Sequence, residues 1–434
     1  MISGFVQIDI LHGPEPPSVV AYHHKLAGVY SAWIDIDQGN GYGILPNNPK
    51  TPGVNLHLWP YIAAAPNNTN IVMVTGDYDY DLHHMYLTTN LGDTWTQLAE
   101  FDSCFALSQF VRVSRNPGSQ KIVHAWTQSI AVEYAGYLIS QMANDVFYQV
   151  SIDNGVTWGT PVNIIHYTPP GQMVNGDTTP WAFSDVNAVF DNNDNLHIVW
   201  ASHMGWMHND TIYFNDRAKI FHWDEVSNTI TKVNSPSIYY NEPNGWWLKS
   251  SSTLGCGSWR LIADRPQLIV ETINNLLYCL WLGNDDYNDT SAAGWPNSEI
   301  YASYSTDNGA TWANYVNLTN TRTPGAPAGE CLDEDYMSAN PFVVNDSIYI
   351  TYIEDKDAGN ALDNEGTFTE NPVRCWVFPT NLIIHGIEET AAHSASSGTP
   401  GIEVYPNPFK NAVSIKFQIP IRHDAWRTKS QIPN

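Results

Sequence analysis

The chain has 434 residues, of which 44 are acidic and 19 basic, for a formal net charge of −25. That balance excludes a phosphate-binding surface of clustered Lys and Arg, and with it nucleic acid and anionic membranes as partners. Apolar residues at 43% against 15% charged mark a folded chain, and 17 Trp and 23 Tyr among many Asn, Asp, Thr and Gly favour strands and tight turns over helices.

No run of 18 apolar residues offers a membrane-spanning segment, so no membrane insertion is expected. The start, Met1 to Asp9, lacks the basic region and long apolar core of a signal peptide. The five cysteines, Cys104, Cys256, Cys279, Cys331 and Cys375, contain no Cys-x-x-Cys pair and make no disulfide framework, although Cys256 and Cys331 could pair. Cys279 lies in the apolar run Leu276 to Leu282 and is expected to be a buried thiol.

Residues 4–10 read as a lone strand ahead of the first repeat, either completing the last unit or belonging to one truncated upstream. From there one unit recurs: an extended segment, a Gly/Asn/Asp turn, then an apolar run ending in an aromatic residue. Val186 to Trp200 and Pro266 to Trp281 are the clearest copies, and similar units end at Trp33, near Thr75, at Trp126 and at Tyr352. The apolar runs predict strands buried on both faces.

A more polar pair of strands follows each hairpin, and three of its turns share a signature. Ser151 to Trp158 and Ser305 to Trp312 match Ser-x-Asp-x-Gly-x-Thr-Trp in full; Thr88 to Trp95 matches with Thr for Ser and Asn for Asp. An Asp or Asn side chain can accept backbone N–H bonds inside such a turn, Gly supplies a positive φ, and the closing Trp packs on neighbouring strands. These segments resemble the Asp-box (BNR) repeats of the sialidase superfamily. The resemblance covers about residues 18–387 and implies a six-bladed β-propeller of four-stranded antiparallel blades. It gives Asn90, Trp95, Asp153, Gly155, Trp158, Asp307, Gly309 and Trp312 a structural role in rim turns and assigns them no catalysis.

The expected domains are thus the propeller over 1–387, a small-residue linker over 388–400 and a C-terminal segment over 401–434. In that last segment Val404 to Phe409 (Val-Tyr-Pro-Asn-Pro-Phe) and the alternating strand Val413 to Ile419 resemble the start of the C-terminal sorting domain of type IX secretion in Bacteroidota. The resemblance implies a secreted or cell-surface protein whose sorting domain is cut short.

Long insertions at 166–182, 202–210, 234–263, 283–298 and 322–336 fall where propeller loops open on one face, which marks that face for recognition. They hold Trp181, Trp206, Trp246, Trp247, Trp259 and Trp295, indoles that could stack on sugar faces or could instead pin their own loops. The expected ligand is a glycan or an extracellular protein, bound by a monomer that requires no cofactor. Glycoside cleavage instead needs two carboxylates flanking the sugar, for which Glu242, Asp264, Asp333 and Asp335 are candidates, alongside Asp185, Glu299 and Glu334. The sialidase resemblance implies three arginines, a Tyr–Glu pair and an Asp. Arg112, Arg265 and Arg322 are placed to contribute, but no arginine precedes Arg112, so the first-blade arginine is missing. For metal, Asp355, Asp357 and Asp363 sit in an oxygen-rich loop that could hold a structural calcium, although its order departs from an EF-hand. The fifteen histidines show no metal-type spacing; His83 and His84 are adjacent and must point to opposite faces of a strand.

Overall fold

The computed structural model describes residues 3–12, 17–26, 29–38, 44–45, 49–77, 81–105, 107–129, 144–166, 179–208, 211–233, 260–286, 288–361 and 364–385. Trp246, Trp247, Trp259, Glu242, Asp363, Cys256, the linker and the C-terminal segment lie outside them. Among the described residues the fold is all-β and propeller-like, with one short helix, α1 (Asn381–His385).

The described antiparallel strands follow one another in six meanders. The first is β1 (Ser3–Ile10), β2 (Ser18–Leu26) and β3 (Val29–Ile36); the second is β4 (His57–Ala64), β5 (Ile71–Asp77), β6 (His83–Thr88) and β7 (Thr96–Phe101). The third holds β8 (Phe110–Val113), β9 (Ile122–Ser129), β10 (Asn144–Ser151) and β11 (Val162–Asn163). The fourth holds β12 (Thr179–Phe190), β13 (Leu196–His208), β14 (Thr211–Asp224) and β15 (Thr229–Lys232). One residue pair, Asn144 with Ala182, joins these two into an eight-stranded sheet. The fifth is β16 (Ala263–Glu271), β17 (Leu276–Gly283), β18 (Glu299–Ser305) and β19 (Val316–Asn317), and the sixth is β20 (Asp333–Ala339), β21 (Ser347–Asp355) and β22 (Val373–Pro379).

The first strands pack on one another in chain order, β1 on β4, β4 on β8, β8 on β12, β12 on β16 and β16 on β20, so they are the inner strands. Side chains stitch them together. Asp9 Oδ2 accepts from the Ala64 amide at 2.7 Å, Asn187 Oδ1 accepts from the Leu268 amide at 3.1 Å, and Gln267 bonds Met337 O at 2.6 Å and the Ala339 amide at 2.7 Å.

Five apolar layers separate consecutive meanders, and the period of two along a strand explains why the second strands are apolar throughout. On β17, Leu277, Cys279 and Trp281 enter the layer toward the fourth meander, while Tyr278, Leu280 and Leu282 enter the layer toward the sixth. On β13, Val199 enters one layer and Ile198 and Trp200 the other. Each such fully buried aliphatic side chain contributes roughly 1.5–3 kcal/mol.

The three octapeptide turns fold identically. Asp153 Oδ1 accepts from the Thr157 amide at 2.8 Å and Ser151 Oγ from the Gly155 amide at 2.9 Å; Asp307 with Thr311 repeats this at 2.9 Å and Ser305 with Gly309 at 2.8 Å. Asn90 with Thr94 and Thr88 with Gly92 do the same at 2.9 and 2.8 Å. Each closing Trp packs into the layer toward the preceding meander: Trp95 toward the first, Trp158 toward the second, Trp312 toward the fourth.

Three expectations are corrected. Residues 4–10 are not a lone strand: β1 pairs β2 and is the inner strand of the first meander. Trp33 therefore lies on a third strand, one step out of phase with the other hairpin ends, and among the described residues the first and last meanders have three strands rather than four. Residues 202–208 are not an irregular insertion but the paired extension of β13, whose Met204–His208 run pairs Thr211–Asn215 of β14.

Candidate functional site

Five of the six inner strands, all but β8, share an irregularity near their first residues. Three steps on β16, Asp264 to Gln267, oppose two on β17, Leu282 to Leu280; β1, β4 and β20 show the same three-for-two offset, and β12 sets four against two. These are β-bulges, which bend a strand and re-aim its side chains. In three of them a bulky residue is turned into the left-handed region: Trp59 at φ 51°, Arg265 at φ 51° and Tyr336 at φ 50°. Such a conformation costs on the order of 1–3 kcal/mol, and it recurs where function requires it. Pro60 and Pro266, which cannot donate to a ladder, follow two of the three and help break the pairing there.

The bulges bring charge together. Asp335 Oδ1 accepts from Arg265 Nη1 at 3.1 Å and from the Tyr336 amide at 2.8 Å. Its Oδ2 lies 3.8 Å from Arg260 Nη1, so Asp335 bridges two guanidiniums. Arg260 also reaches Asp333 Oδ2 at 3.6 Å and donates to Ser298 Oγ, while the Ser298 amide donates to Asp333 Oδ1 at 2.6 Å. The Arg265 guanidinium stands 4.0 Å from the centre of the Tyr336 ring, and Tyr336 is 60% exposed. A planar cation backing an open aromatic face is a cation–π pair with one side left for a ligand.

Beneath this surface the carboxyls are buried. Burial pushes Asp264 up to about 7, against the pull of Arg265 and Arg260 and with help from Asp185. Its Oδ2 accepts from the Leu261 amide at 3.0 Å, and its Oδ1 has no hydrogen-bond partner among the described residues. Burial likewise pushes Asp333 up to about 7, against Arg260 and with Asp335. Asp185, on the β12 bulge, is raised by burial and drawn back by Arg265. Burial would lower the Arg265 guanidinium, but Asp335, Asp264, Tyr336 and Asp185 together raise it. On the far side, burial raises the Tyr61 phenol, with Asp185 adding to the rise and Arg265 and Arg112 opposing it. Burial holds Arg112 down to about 10, and its guanidinium lies 4.9 Å over the Phe110 ring. Five inner strands or their leads therefore supply one electrostatic cluster.

Of the residues singled out in the sequence, the structure gathers Asp264, Arg265, Asp333, Asp335 and Arg112 here, together with Asp185. Arg322 stands apart, donating to Asp286 Oδ2 at 3.0 Å. Glu299 and Glu334 form a separate buried pair in which Thr321 donates from its amide to Glu299 Oε1 at 2.9 Å and from Oγ1 to Glu334 Oε1 at 2.7 Å. Trp181 is corrected as a ligand platform: it is fully buried on β12, tilted against His203 with ring centres 6.4 Å apart. Trp295 is half-buried and packs under Gly359, whose added Cβ would fall 3.0 Å from Trp295 Cγ. Trp206 sits on the β13 extension opposite Tyr213, and its side chain is outside the described residues. In the oxygen-rich loop, Asp355 Oδ1 accepts from the Asp357 amide at 3.1 Å and from Asn371 Nδ2 at 2.9 Å, and Asp357 Oδ2 accepts from the Thr367 amide at 2.7 Å.

Tyr336, Arg260 and Tyr61 carry no motif in the sequence, and neither does a cluster of His57, Asp77 and His84 in the second meander. The one sequence signal for the bulges was the matched Trp59-Pro60 and Arg265-Pro266 pairs at equivalent places in the repeat.

No family model matches the chain, and no curated protein matches it. Among solved structures, an ulvan lyase bound to -[GlcA(1-4)Rha3S]- is similar at a TM-score of 0.44 and 10% identity, over 85% of this chain and 82% of that one. The β-propeller domain of the Trilobed protease from Pyrococcus furiosus is similar at 0.37 and 7%, over 87% and 82%. An endo-arabinase from Bacteroides thetaiotaomicron is similar at 0.35 and 12%, over 76% and 95%. No described helix is long and apolar enough to cross a membrane.

Proposed function

We propose that the protein is an exported Asp-box propeller, its six meanders forming the blades, that binds a glycan at the bulged ends of its inner strands. The observation that carries this reading is Tyr336: a left-handed backbone at φ 50° holds its ring 60% exposed, over Arg265 and beside Asp335. An aromatic face accepts the apolar side of a sugar ring, and the adjoining Arg–Asp pair offers a donor and an acceptor to its hydroxyls. A glycan array probed with the purified protein, then with Tyr336→Ala, tests it. Binding lost at least tenfold in the variant supports the reading, and binding unchanged by the variant overturns it.

A second reading is glycoside hydrolysis, favoured by Asp264 and Asp333, whose burial holds their protons up to about pH 7 beside the ion-paired Asp335. One protonated and one ionised carboxyl is the division of labour that glycosidases use. Turnover of any member of a chromogenic glycoside panel would select it over simple binding. Export is proposed on the Val404 to Phe409 motif and the strand Val413 to Ile419. Fractionation of a type IX-competent host, with and without residues 401–434, tests it: the deletion should leave the propeller inside the cell.

A further inference from the structure

We propose that His57, Asp77 and His84 form a binding site for one divalent transition-metal ion of the zinc kind, independent of the glycan reading. The three residues come from three neighbouring strands of the second meander. His57 on β4 is the direct cross-strand partner of Asp77 on β5, and His84 on β6 pairs Thr75, two residues away on the same face. His83 points the other way and donates from Nε2 to Phe105 O at 2.7 Å.

The spacing suits a metal better than a hydrogen bond. Asp77 Oδ2 lies 3.6 Å from His57 Nε2 and 3.5 Å from His84 Nε2, and one ligand atom from each of the three residues falls within 4.8 Å of the others. Hydrogen bonds from imidazole to carboxylate run about 2.7–3.2 Å. A tetrahedral ion with ligands at about 2.1 Å holds them about 3.4 Å from one another. The second observation is His84 itself, 3% exposed, whose Nε2 faces the cluster 3.5 Å from Asp77 Oδ2, longer than a normal hydrogen bond, and has no closer partner among the described residues. A third is the outer support. Nδ1 of His57 meets Tyr86 Oη at 2.5 Å, while Nδ1 of His84 lies 3.3 Å from Gln97 Nε2 and 3.4 Å from Glu100 Oε2. An oxygen partner on the far ring nitrogen, as at His57, helps a metal-binding histidine aim its lone pair, and at His84 the Glu100 carboxylate is in reach to take that role.

Two imidazoles and one carboxylate are borderline donors that suit Zn²⁺, and three protein ligands leave a fourth position for water or a small ligand. The two rings are stacked 3.7 Å apart at 14°, so binding must splay them by a side-chain rotation that turns both Nε2 atoms to the ion.

The test uses the full chain, stripped with chelator and titrated with Zn²⁺ by calorimetry and with Co²⁺ by visible absorption. One equivalent bound, with the intense visible bands of four-coordinate Co²⁺, is expected. His57→Gln and Asp77→Asn should each weaken binding tenfold or more while keeping the metal-free melting temperature within a few degrees; should His57→Gln fail to fold, Asp77→Asn alone decides. His166→Gln, an exposed histidine, should bind as the parent does. Absence of a saturable single site, or equal binding by Asp77→Asn and the parent, would overturn the proposal.

Discussion

The Arg265 guanidinium lies 4.0 Å from the centre of the Tyr336 ring, and both residues occupy the left-handed region at bulges of neighbouring inner strands. Two strained residues facing each other across a meander boundary define the open part of the charged cluster. Strain of this kind is expected to be retained for recognition rather than for stability.

Tyr336→Gly separates the two. Glycine adopts φ 50° at little cost, so the variant should melt at or above the parent temperature, gaining up to about 1 kcal/mol. The same change removes the plate and should abolish glycan binding. Thermal melts and array binding on one preparation check this; a large fall in melting temperature would show that the ring is a packing element.

Gly309 tests how the octapeptide turns hold the meanders together. A Cβ there would stand 2.1 Å from His222 Cε1 on the fourth meander, and the backbone is at φ +82°. Gly118 has the same φ, +82°, and an added Cβ there meets nothing within 4 Å among the described residues. Gly118→Ala should therefore cost about 1 kcal/mol from backbone strain, and Gly309→Ala about 3 kcal/mol or more from strain plus overpacking. Denaturant melts of the two variants give the difference directly; equal losses would mean His222 moves aside freely.

The octapeptides were legible because their chemistry is local: Ser151, Asp153, Gly155 and Thr157 bond within eight residues. The buried hairpin strands were legible as well, because two-faced burial leaves an unbroken apolar run such as Leu276 to Leu282. The bulges were not. An extra residue in β16 or β20 shifts the register without changing composition, and nothing about Arg265 or Tyr336 as residue types announces a positive φ. The first meander was misphased for a related reason: Val6, Ile8 and Ile10 are 56%, 67% and 47% exposed, so β1 lacks the signature of a buried inner strand. The metal-type triad is formed by pairing across three strands, and the separations between residues 57, 77 and 84 resemble no local motif.

Asp333 carries a pH signature of definite sign. Its carboxyl is held at about 7 in the folded protein against 3.8 unfolded, so the folded state binds the extra proton between these values. Stability from this group is fully present below pH 3.8 and is lost as pH rises through 7. At about 1.4 kcal/mol per unit the full span is on the order of 4 kcal/mol. Asp333→Asn should remove that component, so its melting temperature relative to the parent should rise from pH 4 to pH 8. A relative melting temperature that is flat over this range would place the titration elsewhere. The histidines act oppositely: burial holds His83 and His222 down to about 3, so their contribution is present above pH 6.5 and lost on acidification toward 3. Comparing the variant with its parent, rather than reading either profile alone, cancels that background.

Trp181 distinguishes a buried indole from a ligand platform. It is fully buried on β12 against His203, and its neighbours Ala182 and Phe183 are equally closed to solvent. Truncation to alanine should leave a large cavity and cost about 3–5 kcal/mol. A ligand at the bulged ends of β16 and β20 would not touch the indole, so the fraction of protein still folded should bind with parental affinity. Calorimetric titration well below the variant's melting temperature makes the comparison, since inactive protein lowers the apparent stoichiometry and leaves the dissociation constant unchanged. A weakened constant at full stoichiometry would put Trp181 back at the ligand, and with it the binding face at the start of β12 rather than at Tyr336.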